Sequence, residues 1–233
     1  MSENTISLAI ETSCRHGGVA IGKGEKLLET RSLGTARQHA SRLAEEIDLM
    51  FKKYDFQPKD LNQVYVSTGP GSYTGLRVAV AFASALANTN PDLKLVSVPT
   101  PLAIAERAAG PESKRIIVLL AAKNNTAWSV LAERRDGYLQ ICDGPVVSRP
   151  GEILRKWPPP AVITGEGTGY LSLPDTGGFE IVPEENRFPD VADVWSTGRR
   201  MAVDGLFTPP DRLRPVYARE PEAVRLWEDR SST

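Results

Sequence analysis

The stretch Gly69-Pro70-Gly71-Ser72-Tyr73-Thr74-Gly75 lies between a strand-forming run and a helix-forming run. Backbone N–H groups and the helix dipole at such a junction suit an anion. No lysine follows the last glycine, so this is not the loop that cradles nucleoside triphosphates, and the glycine spacing departs from the dinucleotide fingerprint. A structural reading stands beside the chemical one: a tight turn, capped by Thr74, that lets the helix pack closely on its sheet. Tyr73 and Arg77 at this mouth are candidate partner contacts. His16, His39 and Cys14 are the remaining reactive side chains near the N-terminus. A metal centre needs three or four ligands, and no His-x-x-x-His pair exists here, so no metal site is expected. His39 reads as a surface residue in the first turn of a helix. Cys14 could be a nucleophile only with a base beside it; His16 is near in sequence, but no third, orienting residue can be named. No catalytic residue is assigned.

These residues need elements to hold them. Residues 6–10, 17–22 and 26–32 read as a β-meander, followed by an amphipathic helix over 38–54 whose apolar positions are Ala40, Leu43, Ala44, Ile47, Phe51 and Tyr54. Thr35 is the expected cap of that helix. A strand at 63–68 leads into the glycine loop, and a helix at 76–89, rich in alanine and almost uncharged, leads out of it. A strand at 93–98 and a helix at 100–109 complete the first half. After a turn near 110–113, strands are expected at 115–120, 127–133 and 137–143, the last two as a hairpin about Arg135-Asp136-Gly137. A short helix at 150–157, a strand at 161–164 and a helix at 191–204 follow. Both halves open on a strand meander. Three domains are expected: 1–110, 111–219 and a polar tail, 220–233, in which Trp227 is a candidate docking element. Trp128, Trp157 and Trp195 are expected in cores.

Composition narrows the function. Lys+Arg 28 against Asp+Glu 29 gives a net charge of -1, so no broad basic surface for nucleic acid exists. With 41% hydrophobic and 24% charged residues the 233-residue chain reads as globular. The two cysteines form no disulfide framework and fit a reduced setting. No basic segment followed by a long apolar run opens the chain, and apolar runs are too short to span a bilayer, so a cytoplasmic location is expected.

ISLAIETS, RQHASRL, STGPGSYTGLRVAVAFASALA and RPVYARE resemble the TsaB (YeaZ) family of the actin-like superfamily. The resemblance implies an α/β fold of two actin-like, ribonuclease H-like lobes, the C-terminal one reduced. It also implies a non-catalytic scaffold that binds a TsaD-like catalytic subunit and a TsaE-like ATPase in tRNA threonylcarbamoyladenosine synthesis, or forms a homodimer when alone. tRNA would be met only through the complex. Interface residues are expected on the first-half helices: His39, Leu43, Ile47, Tyr73, Arg77, Val80, Ala83 and Leu86. Glu11, Thr12 and Ser13 stand where actin-like enzymes carry an acid and a phosphate-binding turn, and with Gly69, Gly71 and Ser72 of the glycine loop they are the candidate anion- or nucleotide-binding residues. Glu11 there is one methylene longer than the superfamily's aspartate, and Ala121 replaces a second-lobe acid, both arguing against catalysis. No cofactor is required, and ATP or ADP would sit at a partner interface. The residues alone leave open an autonomous ATPase, small-molecule kinase or peptidase.

Overall fold

The computed structural model describes residues 2–110 and 112–218; the tail expected at 220–233, with Trp227, lies outside them. Strands β1 (Ile6–Glu11), β2 (Gly18–Lys23) and β3 (Lys26–Ser32) form the antiparallel meander. On the other side of β1, β4 (Leu61–Gly69) and β5 (Lys94–Pro99) add in parallel, giving the order β3-β2-β1-β4-β5. β1 and β4 are buried along nearly their whole length, which is why their central residues, Leu8-Ala9-Ile10 and Val64-Tyr65-Val66, are consecutive apolar side chains rather than alternating ones. Helix α1 (His39–Lys53) joins β3 to β4, α2 (Tyr73–Thr89) joins β4 to β5, and α3 (Thr100–Ala108) follows β5.

The second sheet contains β6 (Arg115–Ala121), β7 (Ala127–Arg135), β8 (Tyr138–Ser148), β9 (Ala161–Thr164) and β10 (Phe179–Ile181). Its order, β8-β7-β6-β9-β10, repeats that of the first sheet strand for strand. The hairpin of β7 and β8 turns on Asp136 and Gly137, both at positive φ, as a tight two-residue turn requires. Here the crossovers are cut short. The helix after β8 is only α4 (Pro150–Lys156), and a 3-10 turn at Glu166–Gly169 stands where the first lobe has α2. β10 carries no apolar run and has no counterpart in the sequence expectation.

Layers follow from these faces. α1 and α2 cover one side of the first sheet through Leu43, Ile47, Met50, Ala79 and Ala83. α5 (Val191–Val203) covers its other side through Val194, Trp195 and Ala202. α3 covers the second sheet with Leu102, Ile104 and Ala105, and α4 closes the far side with Ile153 and Leu154. Trp128, Trp157 and Trp195 are all buried. The Trp195 indole N–H donates to Ser7 Oγ at 2.9 Å, fixing α5 on the first sheet. Packing therefore crosses the division between residues 1–110 and 111–219: α5 belongs to the first sheet and α3 to the core of the second.

Three local expectations change. Gln38, not Thr35, sits at the N-cap of α1 and makes no side-chain capping bond; its amide oxygen accepts from the Thr35 N–H at 3.0 Å instead. Ser72, not Thr74, caps α2, which begins at Tyr73. The buried stripe of α1 runs through His39, Leu43, Glu46, Ile47, Met50 and Phe51, leaving Ala40 and Ala44 exposed.

Candidate functional site

β1 ends on Glu11, which is wholly buried. Its Oε1 accepts from the Ser13 backbone N–H and, at 2.6 Å, from the Ser13 hydroxyl. Its Oε2 has no hydrogen-bond partner. Burial pushes the carboxyl up to about 7, against the downward pull of the Ser13 and Ser67 hydroxyls. Behind it the Ser67 hydroxyl meets Thr100 Oγ1 at 2.7 Å, and Thr100 Oγ1 also accepts from the Gly69 N–H at 3.0 Å.

The glycine loop closes over this turn. The Thr12 hydroxyl donates to the Gly75 carbonyl at 2.7 Å, and the Ser72 N–H donates to the Ser13 carbonyl at 2.6 Å. Ser72 Oγ accepts from the Gly75 N–H at 3.3 Å. A Cβ on Gly75 would overlap the Thr12 carbonyl oxygen, so only glycine permits this approach. Gly69 has φ +109, a conformation favouring glycine, and a side chain there would strike the Val216 carbonyl. Glu11, Thr12, Ser13, Gly69, Gly71 and Ser72 are thus brought together, but as two turns packed on each other. The N–H groups of Gly69, Ser72 and Gly75 are committed inside the protein.

His39 is a correction: it is buried, not a surface residue. Its Nε2 accepts the Gly17 N–H at 3.1 Å, and desolvation holds its pKa below the usual histidine value. Burial pushes the Cys14 thiol up to about 12, the opposite of what a nucleophile needs. Among the described residues, no three His, Cys, Asp or Glu side chains group as metal ligands would.

The returning end of the chain, absent from the residue-level reading, completes the mouth of α2. The Val216 N–H donates to the Thr68 carbonyl at 2.7 Å. The Arg77 guanidinium lies 4.0 Å from the centroid of the Tyr73 ring, and its Nε–H donates to the Tyr217 hydroxyl at 3.2 Å. Tyr73 and Tyr217 lie 4.9 Å apart. Beside this stack a cleft of about 650 Å³ opens between the two lobes. Ala121, at the end of β6, lines it where the family resemblance leads one to look for an acid.

On the outer side of the first sheet, a smaller apolar groove of about 230 Å³ runs between α1 and α2. Ala44, Phe56, Phe82 and Leu86 line it. Several expected interface residues do not face outward: His39, Leu43, Val80 and Ala83 are buried in the chain's own core, while Ile47, also largely buried, lines the groove. They carry the inward stripes of α1 and α2, and what remains available is the opposite edge. Leu86 stays half-buried, Arg77, Ala81 and Ala85 are exposed, and Tyr73 is 42% exposed. Phe82 and Phe56 were missed; the signal was an aromatic in an otherwise small-residue helix.

Two lobes of one repeated strand order, with helices between and outside the sheets, define an actin-like α/β protein. YeaZ from Pseudomonas aeruginosa has this fold, with a TM-score of 0.78 at 19% identity over 91% of this chain and 99% of that one. The TsaB protein of Buchnera aphidicola (subsp. Schizaphis graminum, strain Sg) is 25% identical over 202 residues, covering 81% of this chain and 90% of the relative. The TsaB protein of Escherichia coli (strain K12) is 23% identical over 192 residues, 78% of this chain and 81% of the relative. Residues 33–202 match the family model described as TsaD, tRNA N6-adenosine threonylcarbamoyltransferase. The chain belongs to that family, in its TsaB (YeaZ) branch.

Proposed function

We propose that this protein acts in tRNA threonylcarbamoyladenosine biosynthesis as a non-catalytic, partner-binding subunit. The observation that carries the reading is the groove between α1 and α2, lined by half-buried Phe82 and Leu86 and exposed Ala44, with Ala81 and Ala85 exposed on α2 outside it. Small residues let another helix approach closely, and apolar surface of this kind marks an interface. The occupant is a TsaD-like catalytic subunit, or a second copy of this chain when it is alone, with a TsaE-like ATPase completing the assembly. The closed glycine loop and the buried Glu11 support the view that chemistry is performed by the partner, with ATP or ADP at a shared interface. The net charge of -1 supports indirect contact with tRNA. Among the described residues no helix is long and apolar enough to cross a membrane; the proposed place of action is the cytoplasm, where tRNA is modified.

The test is co-expression with the TsaD-like subunit of the same cell. Ala85→Glu places a charge on the exposed edge of α2; it is expected to abolish co-purification and tRNA modification while circular dichroism stays native. Full association and full modification by that variant would remove α2 from the interface. ATP hydrolysis by this chain alone, lost in Glu11→Ala, would return it to the enzymes.

A further inference from the structure

The inter-lobe cleft is not used by the groove on the opposite side of the first sheet, and its lining has a chemistry of its own. About 650 Å³ is within the range of small-molecule sites. Its walls are mostly apolar and include the rings of Tyr73, Tyr170, Phe188 and Tyr217. Tyr170 is 65% exposed, an aromatic face left to water in a concave site. The cationic groups in the wall are Arg15 and Arg187, and the acid is Glu166, itself partnered. Glu184, beside the wall, offsets Arg15, which leaves the Arg187 guanidinium to meet an anion. Arg15 is already layered on Phe188, 4.6 Å from its centroid, and reaches Glu184 at 3.7 Å. Arg187 is held through its Nε–H, which donates to the Val182 carbonyl at 2.9 Å, and its Nη1 lies beside Gly169, next to Tyr170.

We propose that this cleft binds a planar aromatic molecule carrying a single negative charge, its ring on the wall of Tyr170 and Phe188 and its charge on the Arg187 guanidinium. Stacking on an aromatic face and a guanidinium–anion hydrogen bond each favour this class. A polyphosphate is disfavoured by the same geometry. The glycine loop has spent its Gly69, Ser72 and Gly75 N–H groups, the buried Glu11 carboxyl lies behind it, and with Arg15 already on Glu184 the one guanidinium of Arg187 does not match several negative charges. This proposal is independent of the scaffold role.

The probe is anilinonaphthalene sulfonate, a monoanion whose flat naphthalene ring carries the charge, titrated by fluorescence into the full chain. Its uncharged relative, N-phenylnaphthylamine, serves as the second ligand. One-to-one binding of the sulfonate is expected, weakened about tenfold by Tyr170→Ala and about tenfold by Arg187→Gln. Tyr138→Ala, an exposed tyrosine on β8 outside the cleft, should leave it unchanged. N-phenylnaphthylamine should respond to Tyr170→Ala but not to Arg187→Gln. Thermal melting checks that each variant is folded. Non-saturable binding, or equal binding by all the variants, overturns the proposal. So does displacement by ADP as readily as by naphthalene sulfonate, which would assign the cleft to polyphosphates.

Discussion

Glu11 has a consequence for stability that its hydrogen bonds alone do not reveal. Its folded pKa, about 7, lies above the ordinary 4.5, so the fold favours the protonated acid. The stabilising contribution is fully present below the unfolded pKa and is lost as pH rises through 7, by about 3 kcal/mol in all. Desolvation also pushes Asp193 up to about 6, offset by Arg107, and holds His39 below its usual value, so the wild type alone mixes several titrations. The difference in melting temperature between Glu11→Gln and wild type, followed from about pH 4.5 to about pH 8, isolates the first: the variant should gain relative stability as pH rises. A constant difference would mean that Glu11 does not titrate there. Gly75→Ala is the companion at this scale. Because the added carbon meets backbone at Thr12, a loss of about 3 kcal/mol or more in urea denaturation is expected; a loss under about 1 kcal/mol would show that the loop can yield. Sequence supplied the partners of this turn but not their arrangement. Either Ser72 or Thr74 is chemically able to cap α2, and Arg77 meets Tyr217 across 140 residues, which no local pattern encodes.

At the scale of elements, α1 and α2 were readable as helices and misread as faces. The three- and four-residue spacing in α1 allows two neighbouring stripes; burial of Met50 and Glu46 selects one and turns Ala40 and Ala44 outward. Alanine on every side of α2 removes the contrast on which a periodicity argument depends, so Ala83 and Ala85 look alike in the sequence. In the fold Ala83 is wholly buried and Ala85 exposed. Ala83→Glu should therefore unfold the chain, since it places an unpaired charge in the core, whereas Ala85→Glu should leave the monomer folded. Circular dichroism and thermal melting of the two separate them; equal melting would mean that α2 is not seated as described. β10 lay beyond reach for another reason. Three residues, with two of them exposed, bury too little to leave a pattern.

At the scale of the molecule, the strand meander that opens each half is only a faint echo in the sequence, and two lobes are expected from the family resemblance; the strand order repeats from one sheet to the other. The reduction of the second lobe is also visible as missing helical runs between its later strands. The placement of α5 could not be read, because an amphipathic helix states that it needs a sheet and not which sheet. Trp195→Ala removes a ring that Ser7 anchors and that fills the space over Gly22. A loss of about 3–5 kcal/mol is expected, with hydrogen exchange rising in β1 and β2; exchange rising only in β6–β8 would place the helix on the wrong lobe.

The reach of α5 and of Val216 back to the first sheet also bears on synthesis. A ribosome delivers β1–β5 long before Trp195 and Val216, so the N-terminal sheet emerges with one face bare and the end of β4 unpaired. A nascent chain stalled before residue 190 should remain open to proteases throughout its first half, and the lobe made first should be the last to become resistant.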